Sequence, residues 1–211
     1  MQRSPDPGRS VTIVGVSKLM PASAVAAAAV AGLTHFGENY LQEGIEKIAA
    51  VDNPALTWHF IGRIQSNKTR LIAESFAWVE TIDRIRIAER LNAQRPDALG
   101  PLNVLIQLNV DREPQKGGAR PDDLMPLAEA VSKLPRLKLR GIMGMPPADS
   151  SPERNRRSFL AIAAATETLR NRGFGVDTVS MGMSADFELA IECGSNLVRL
   201  GTALFGPRPA G

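Results

Sequence analysis

What most constrains this chain is a repeated alternation of short apolar runs with segments of helical period. Val11–Val16 is a nearly continuous β-branched run, the pattern of a strand buried on both faces. Pro21 and Ser23 then open an alanine-rich helix over 22–31, closed by Gly32. The unit recurs. Further strands are expected at Leu33–Asn39, Thr57–Gly62, Ala77–Glu80, Leu102–Asn109, Leu137–Met143, Val176–Met181 and Leu197–Leu200. Helices fall over 40–50, 69–75, from Asp83 onward, roughly 122–134, 151–172 and 184–193. Asp83 is expected to cap its helix, and Pro126 to delay the first turn of the next one. A loop with paired glycines covers Asp111–Gly118, and Gly201-Thr202 opens a last short turn.

Eight strands alternating with seven clear helices give the α/β class and a single (β/α)8 TIM barrel, with residues 1–211 as one domain. A doubly wound open sheet has similar alternation and is the rival. The chain of 211 residues lies at the lower end of the barrel range of roughly 200 residues upward, so decorations must be minimal.

Composition narrows the function. Apolar residues at 44%, charged residues at 22% and a net charge of +3 suit a globular protein. The charges are interspersed, without a basic block or aromatic interleaving, so nucleic acid is not an expected partner. One cysteine, Cys193, excludes an intramolecular disulfide and suits a reducing cytoplasm. No apolar run reaches the ~20 residues that span a bilayer, and Met1–Pro7 lacks the apolar core of a signal peptide. The expected location is cytoplasmic, away from membranes.

In a barrel the C-terminal strand ends converge on one mouth. Here they present Lys18, Glu38-Asn39, Gly62 with Gln65 and Asn67, Asp83, Asn109, Met143–Met145, Ser180–Ser184 and Arg199–Thr202. On its own segment Lys18 reads most simply as a solvated loop lysine. Yet it is the one amine of low expected exposure at the mouth. Ser180 and Gly201-Thr202 come from strands seven and eight, where barrels often build phosphate sites. An amine opposite a phosphate cup points to a phosphorylated aldehyde. Pyridoxal 5'-phosphate fits, because its aldehyde forms a Schiff base with lysine. A barrel isomerase or lyase acting on a phosphorylated sugar is a competing reading.

Several residues have plainer roles. His59 reads as a hydrogen-bonded core histidine and His35 as structural or exposed; two histidines make no metal set. Met143, Met145, Met181 and Met183 read as flexible filling of the mouth. Glu38 and Asp186 read as loop and cap residues, Arg154, Arg156 and Arg157 as a solvated helix face, and Cys193 as a buried apolar group.

Segments spread over nearly the whole chain carry a specific resemblance: Val16-Ser-Lys18, Phe36-Gly-Glu-Asn-Tyr40 with Gln42-Glu43, Trp58-His-Phe-Ile-Gly62 and Gln65-Ser-Asn-Lys68. Gly141-Ile-Met143, Ser180-Met-Gly-Met-Ser-Ala-Asp186 and Val198–Gly206 complete it. In order and spacing they resemble the pyridoxal phosphate homeostasis protein family. The resemblance implies a barrel similar to the N-terminal domain of alanine racemase, with pyridoxal phosphate on Lys18. It implies no clear catalytic turnover: the cofactor is held and passed on, with pyridoxal-phosphate-dependent apoenzymes as recipients, and amino-acid and keto-acid balance is affected. By position, Ser180, Gly201 and Thr202 would hold the phosphate, and Arg199 would face the pyridine nitrogen. Asn39 and the Ile61-Gly62 backbone would line the ring, with Met181 and Gly182 nearby.

Two departures stand out. Family members usually begin with a further helix, where only Met1–Ser10 precede the first strand here. Asn196 stands where the family often has threonine. A pyridoxal-phosphate-dependent amino-acid racemase is the alternative function, but the racemase takes its second base, a tyrosine, from a C-terminal domain. This chain ends at Gly211, and its one tyrosine is Tyr40, in the second-strand loop. Binding by a monomer, without turnover, is the expectation.

Overall fold

A computed structural model describes residues 10–113, 117–147 and 150–207. Strands β1 (Thr12–Val16), β2 (His35–Glu38), β3 (Thr57–Phe60) and β4 (Trp78–Ile82) form the first half of the sheet. Strands β5 (Leu102–Leu108), β6 (Leu137–Gly144), β7 (Thr178–Met183) and β8 (Leu197–Leu200) form the second. The strands run in parallel, in chain order, and close through β1 against β8, where Val14 lies opposite Arg199. That pairing excludes the open sheet, which would leave both edge strands unpaired.

The crossovers are α1 (Ala22–Val30), α2 (Leu41–Val51), α3 (Thr69–Ser75) and α4 (Ile85–Gln94), then α5 (Leu124–Ser132), α6 (Pro152–Asn171) and α7 (Phe187–Glu192). A last turn, α8 (Thr202–Phe205), follows β8. Helix α6 starts where its sequence says it should: the Ser151 hydroxyl accepts the Arg154 N–H at 3.3 Å, and Pro152 occupies the first helical position. Pro126 sits in the first turn of α5, where its missing N–H costs no helical bond.

The helices pack their apolar stripes on the outward strand positions. Phe36, Ile72, Phe76, Leu91, Val104 and Phe159 lie in that layer, each at most 1% exposed. A smaller cluster of Trp78, Leu105 and Met143 packs separately. The ladder between β5 and β6 shifts register between Val104 and Leu105, beside Gly141 at φ +150°. A Cβ at Gly141 would lie 1.8 Å from the Thr178 carbonyl oxygen, so only glycine lets the two strands meet there.

Some expectations need correction. Strand β4 does not stop at Glu80 but continues through Thr81 and Ile82, with every residue buried. Asp83 does not cap α4. The N-cap is Arg84, whose guanidinium binds the Asp83 carboxylate at 2.6 and 2.8 Å. Asp186 holds the N-cap position of α7, but its carboxylate accepts the Met183 N–H at 2.7 Å, tying down the β7 exit instead. The reading of Met1–Pro7 and the middle of the 111–118 loop lie outside the described residues. Among those described, no helix is long and apolar enough to cross a membrane.

Candidate functional site at the barrel mouth

Strand geometry brings six of the expected residues to one cavity of about 310 Å³ at the C-terminal strand ends. They are Lys18 after β1, Asn39 after β2, Ile61 after β3, Arg199 on β8, and Gly201 and Thr202 at the start of α8. Met143, Met145 and Met183 complete the apolar wall, while Met181 is buried in the core below. Ser180 and Gly182 also lie behind the wall rather than on it. Gly182 stands at φ +96°, where an added Cβ would come within 2.6 Å of the Ala190 Cβ; the glycine lets α7 close against β7. In place of these residues, the turn after β7 offers Ser184 to the cavity. The Ser184 hydroxyl accepts the Gly201 and Ala203 N–H groups at 3.2 and 3.1 Å.

Lys18 sits between two anchored neighbours. The Ser17 hydroxyl donates to Glu38 Oε1 at 2.6 Å, and the Ser17 carbonyl accepts from Lys47 Nζ. The Leu19 N–H donates to Glu43 Oε1, and Leu19 stands at φ +64°, a left-handed conformation that non-glycine residues seldom adopt. Lys47 gathers the rest, donating to Glu38 Oε1 at 2.8 Å and Glu43 Oε1 at 2.6 Å with its side chain only 6% exposed. Burial pushes the Glu38 carboxyl above its ordinary range, against the opposing pull of the Lys47 and Ser17 hydrogen bonds. The chain on either side of Lys18 is thereby pinned to β2 and α2. Lys47 was missed from sequence because a lysine on an amphipathic helix reads as solvated.

Below the cavity a polar chain crosses the barrel. Arg199 donates to the Ser180 hydroxyl and, at 3.1 Å, to the Gly144 carbonyl. Ser180 donates onward to Glu80 Oε2 at 2.6 Å. His59 Nδ1 lies 2.7 Å from Glu80 Oε1, and His59 Nε2 lies 2.9 Å from His35 Nδ1. With an N–H on Nδ1 of each imidazole, every one of these contacts has a donor and an acceptor. His59 is the hydrogen-bonded core histidine expected, stacked at 5.1 Å on Trp78. Burial would raise the Glu80 carboxyl, but His59, Arg199 and Ser180 together hold it below the usual carboxylate range. Glu80 gave no sequence signal, since one acid in a short apolar run reads as the end of a strand. Among the described residues, no cluster of three or more His, Cys, Asp or Glu could hold a metal.

Comparison with known proteins agrees with this geometry. The family model for the alanine racemase N-terminal domain matches residues 7–209. The Escherichia coli (strain K12) pyridoxal phosphate homeostasis protein is 51% identical over 98% of this chain and 88% of its own length. PipY from Synechococcus elongatus PCC7942, solved with PLP bound, superposes with a TM-score of 0.87 at 35% identity, covering 95% of this chain and 94% of PipY. Alanine racemase from Corynebacterium glutamicum shares the fold at 16% identity and a TM-score of 0.74, over 97% of this chain and 57% of the racemase. The chain belongs to the alanine racemase N-terminal domain family and, within it, to the pyridoxal phosphate homeostasis proteins.

Proposed function

We propose that this barrel binds pyridoxal 5'-phosphate at its mouth, with Lys18 as the covalent anchor, and holds it without turnover. One observation carries the reading: a lysine, an arginine and a cluster of neutral donors line one cavity, and among the described residues no carboxylate lies in its wall. That donor set suits a phosphate dianion joined to an aldehyde. The Thr202 hydroxyl and the N–H groups of Gly201 and Ala203 would take the phosphate, displacing the long Ser184 contacts. Asn39 and Ile61 would flank the ring. Ser180, Met181 and Gly182 would act from behind the wall, Ser180 through Arg199. The relatives' names and the PLP-bound PipY structure support the same cofactor.

When bound, the cofactor supplies an electrophilic aldehyde and a ring that can withdraw electrons. The protein's own groups limit that chemistry. Arg199, which would face the ring nitrogen, cannot accept a proton, so it would disfavour a protonated ring and weaken electron withdrawal. Racemisation needs a base on each face, yet among the described residues Lys18 is the one base in the cavity wall. Tyr40 lies in the neighbouring cavity and is 54% exposed. We therefore assign a holding role, with delivery to pyridoxal-phosphate-dependent apoenzymes by a cytoplasmic monomer.

The test is a purified protein whose visible absorbance survives dialysis, then incubated with L-amino acids in deuterated water. Retained colour with no exchange of the α-hydrogen is expected. Rapid, Lys18-dependent exchange with loss of optical activity would replace the holding role by a racemase.

A further inference from the structure

We propose that Glu80, with His59 behind it, is the positioning group that fixes Arg199 against the bound cofactor ring. This rests on the cofactor reading above. The Arg199 side chain is 4% exposed and that of Glu80 is 0% exposed, so neither charge is screened by water. Their nearest charged atoms stand 3.7 Å apart, with the Ser180 hydroxyl bridging them. Of the five guanidinium N–H groups, those bonded to Ser180 and Gly144 fix the plane of the group from β7 and β6. Both Glu80 oxygens are themselves held, one by His59 and one by Ser180, so the carboxylate cannot rotate away. His59 is braced in turn by His35 and the Trp78 ring. Position and charge at the ring nitrogen would thus be set four strands away, from β4 on the opposite side of the barrel.

The geometry shows why the device is needed. A guanidinium buried alone is costly, and burial pulls Arg199 downward while Glu80 and Asp186 oppose it. The groups that face the pair are Ser180 from β7, His59 from β3, His35 beyond it on β2, and Asp186 at the start of α7. Removing the Glu80 charge frees the guanidinium to tilt, and the ring nitrogen loses its fixed neighbour.

The experiment is a double-mutant cycle on full-length protein loaded with pyridoxal phosphate: wild type, Glu80→Gln, Arg199→Gln and the pair. Three quantities are read: the position of the visible band, its pH profile, and cofactor affinity, alongside melting of the cofactor-free protein. Glu80→Gln should shift the band and its pH profile, and weaken binding by about ten- to hundredfold, as when the outer partner of a metal-holding side chain is lost. In the Arg199→Gln background the same substitution should add nothing to any of the three. The double variant should also melt above Glu80→Gln, because its buried charges leave together. If Glu80→Gln does not fold, Glu80→Asp, which draws the charge back by one methylene, is read in the same way. An unshifted band, or effects that simply add, overturns the proposal. A wild-type protein with no visible band would instead sink the cofactor reading.

Discussion

Lys47→Met tests how the segment around Lys18 is held. It removes an ammonium that bonds Glu38 at 2.8 Å, Glu43 at 2.6 Å and the Ser17 carbonyl. The Glu38 side chain, 0% exposed, would then keep the Ser17 hydroxyl as its one donor. Two routes bound the cost. If Glu38 stays ionised, a buried unpaired charge costs about 3–5 kcal/mol. If it takes up a proton near neutrality, the cost is at most about 4 kcal/mol, at ~1.4 kcal/mol per unit from an ordinary ~4.3. Burial already lifts this carboxyl, which makes protonation the cheaper route. A loss of about 3 kcal/mol follows, or about 6–12 °C in Tm at ~2–4 °C per kcal/mol for a chain of this size.

The pH dependence carries a sign. A folded-state carboxyl raised above its unfolded value favours folding at low pH, and that advantage is lost as pH rises through the folded value. The deficit of Lys47→Met should therefore shrink on moving from neutrality to about pH 5. Glu38→Gln in the same chain should recover part of the loss, since both members of the pair are then gone. Thermal melts of the three variants at both pH values are the assay. An unchanged Tm near neutrality, or a deficit that grows on acidification, refutes the reasoning.

Glu80 carries the opposite sign. Held below the ordinary carboxylate range when folded, it contributes stability above the unfolded value of ~4.3 that is lost as pH falls through the folded one. The acid limb of a stability–pH curve should accordingly be flatter for Glu80→Gln, and an unaltered slope contradicts this. Gly62→Ala places a Cβ 2.0 Å from the Asn39 carbonyl oxygen, so the β2 and β3 ends must separate. Overpacking costs about 1–3 kcal/mol, here at the upper end because backbone must move, and cofactor affinity should fall with the Tm. Thr202→Val removes a hydroxyl donor at nearly constant volume. The loss of a bond to a charged group, ~1.5–3 kcal/mol, should weaken cofactor binding by about ten- to a hundredfold in equilibrium dialysis, and unchanged affinity would place the phosphate elsewhere.

The barrel was legible because its strands are buried on both faces and so read as apolar runs, even where, as in β8, only four residues long. The same burial hid β4. In an open antiparallel sheet Glu80 and Thr81 would face water, and their polarity would mark a strand end; inside a closed barrel they are enclosed and bonded. Asp83 looked like a cap by residue type, but its partner was chosen by the neighbouring Arg84. Lys18, Arg199 and Gly201-Thr202 were legible because strand ends converge whatever the loops do. Ser184 was legible as part of the β7 end, but its role as acceptor of the Gly201 and Ala203 N–H groups was not, since that depends on where the β7 exit turns, and the turn is set by Gly182 and the Asp186 carboxylate. Asn196, a departure from the usual family residue, earns its place by bridging. Its side chain accepts the Val179 N–H and donates to the Asp177 carbonyl, each at 2.7 Å.

The central claim is that Lys18 carries the cofactor. Reduction of the loaded protein with borohydride, followed by peptide mass mapping, tests it directly. The reduced cofactor should be recovered on the peptide containing Lys18, and Lys18→Ala should lose the visible band while melting as a folded protein. Label on Lys47, Lys68 or another lysine, or a band that survives in Lys18→Ala, would contradict it.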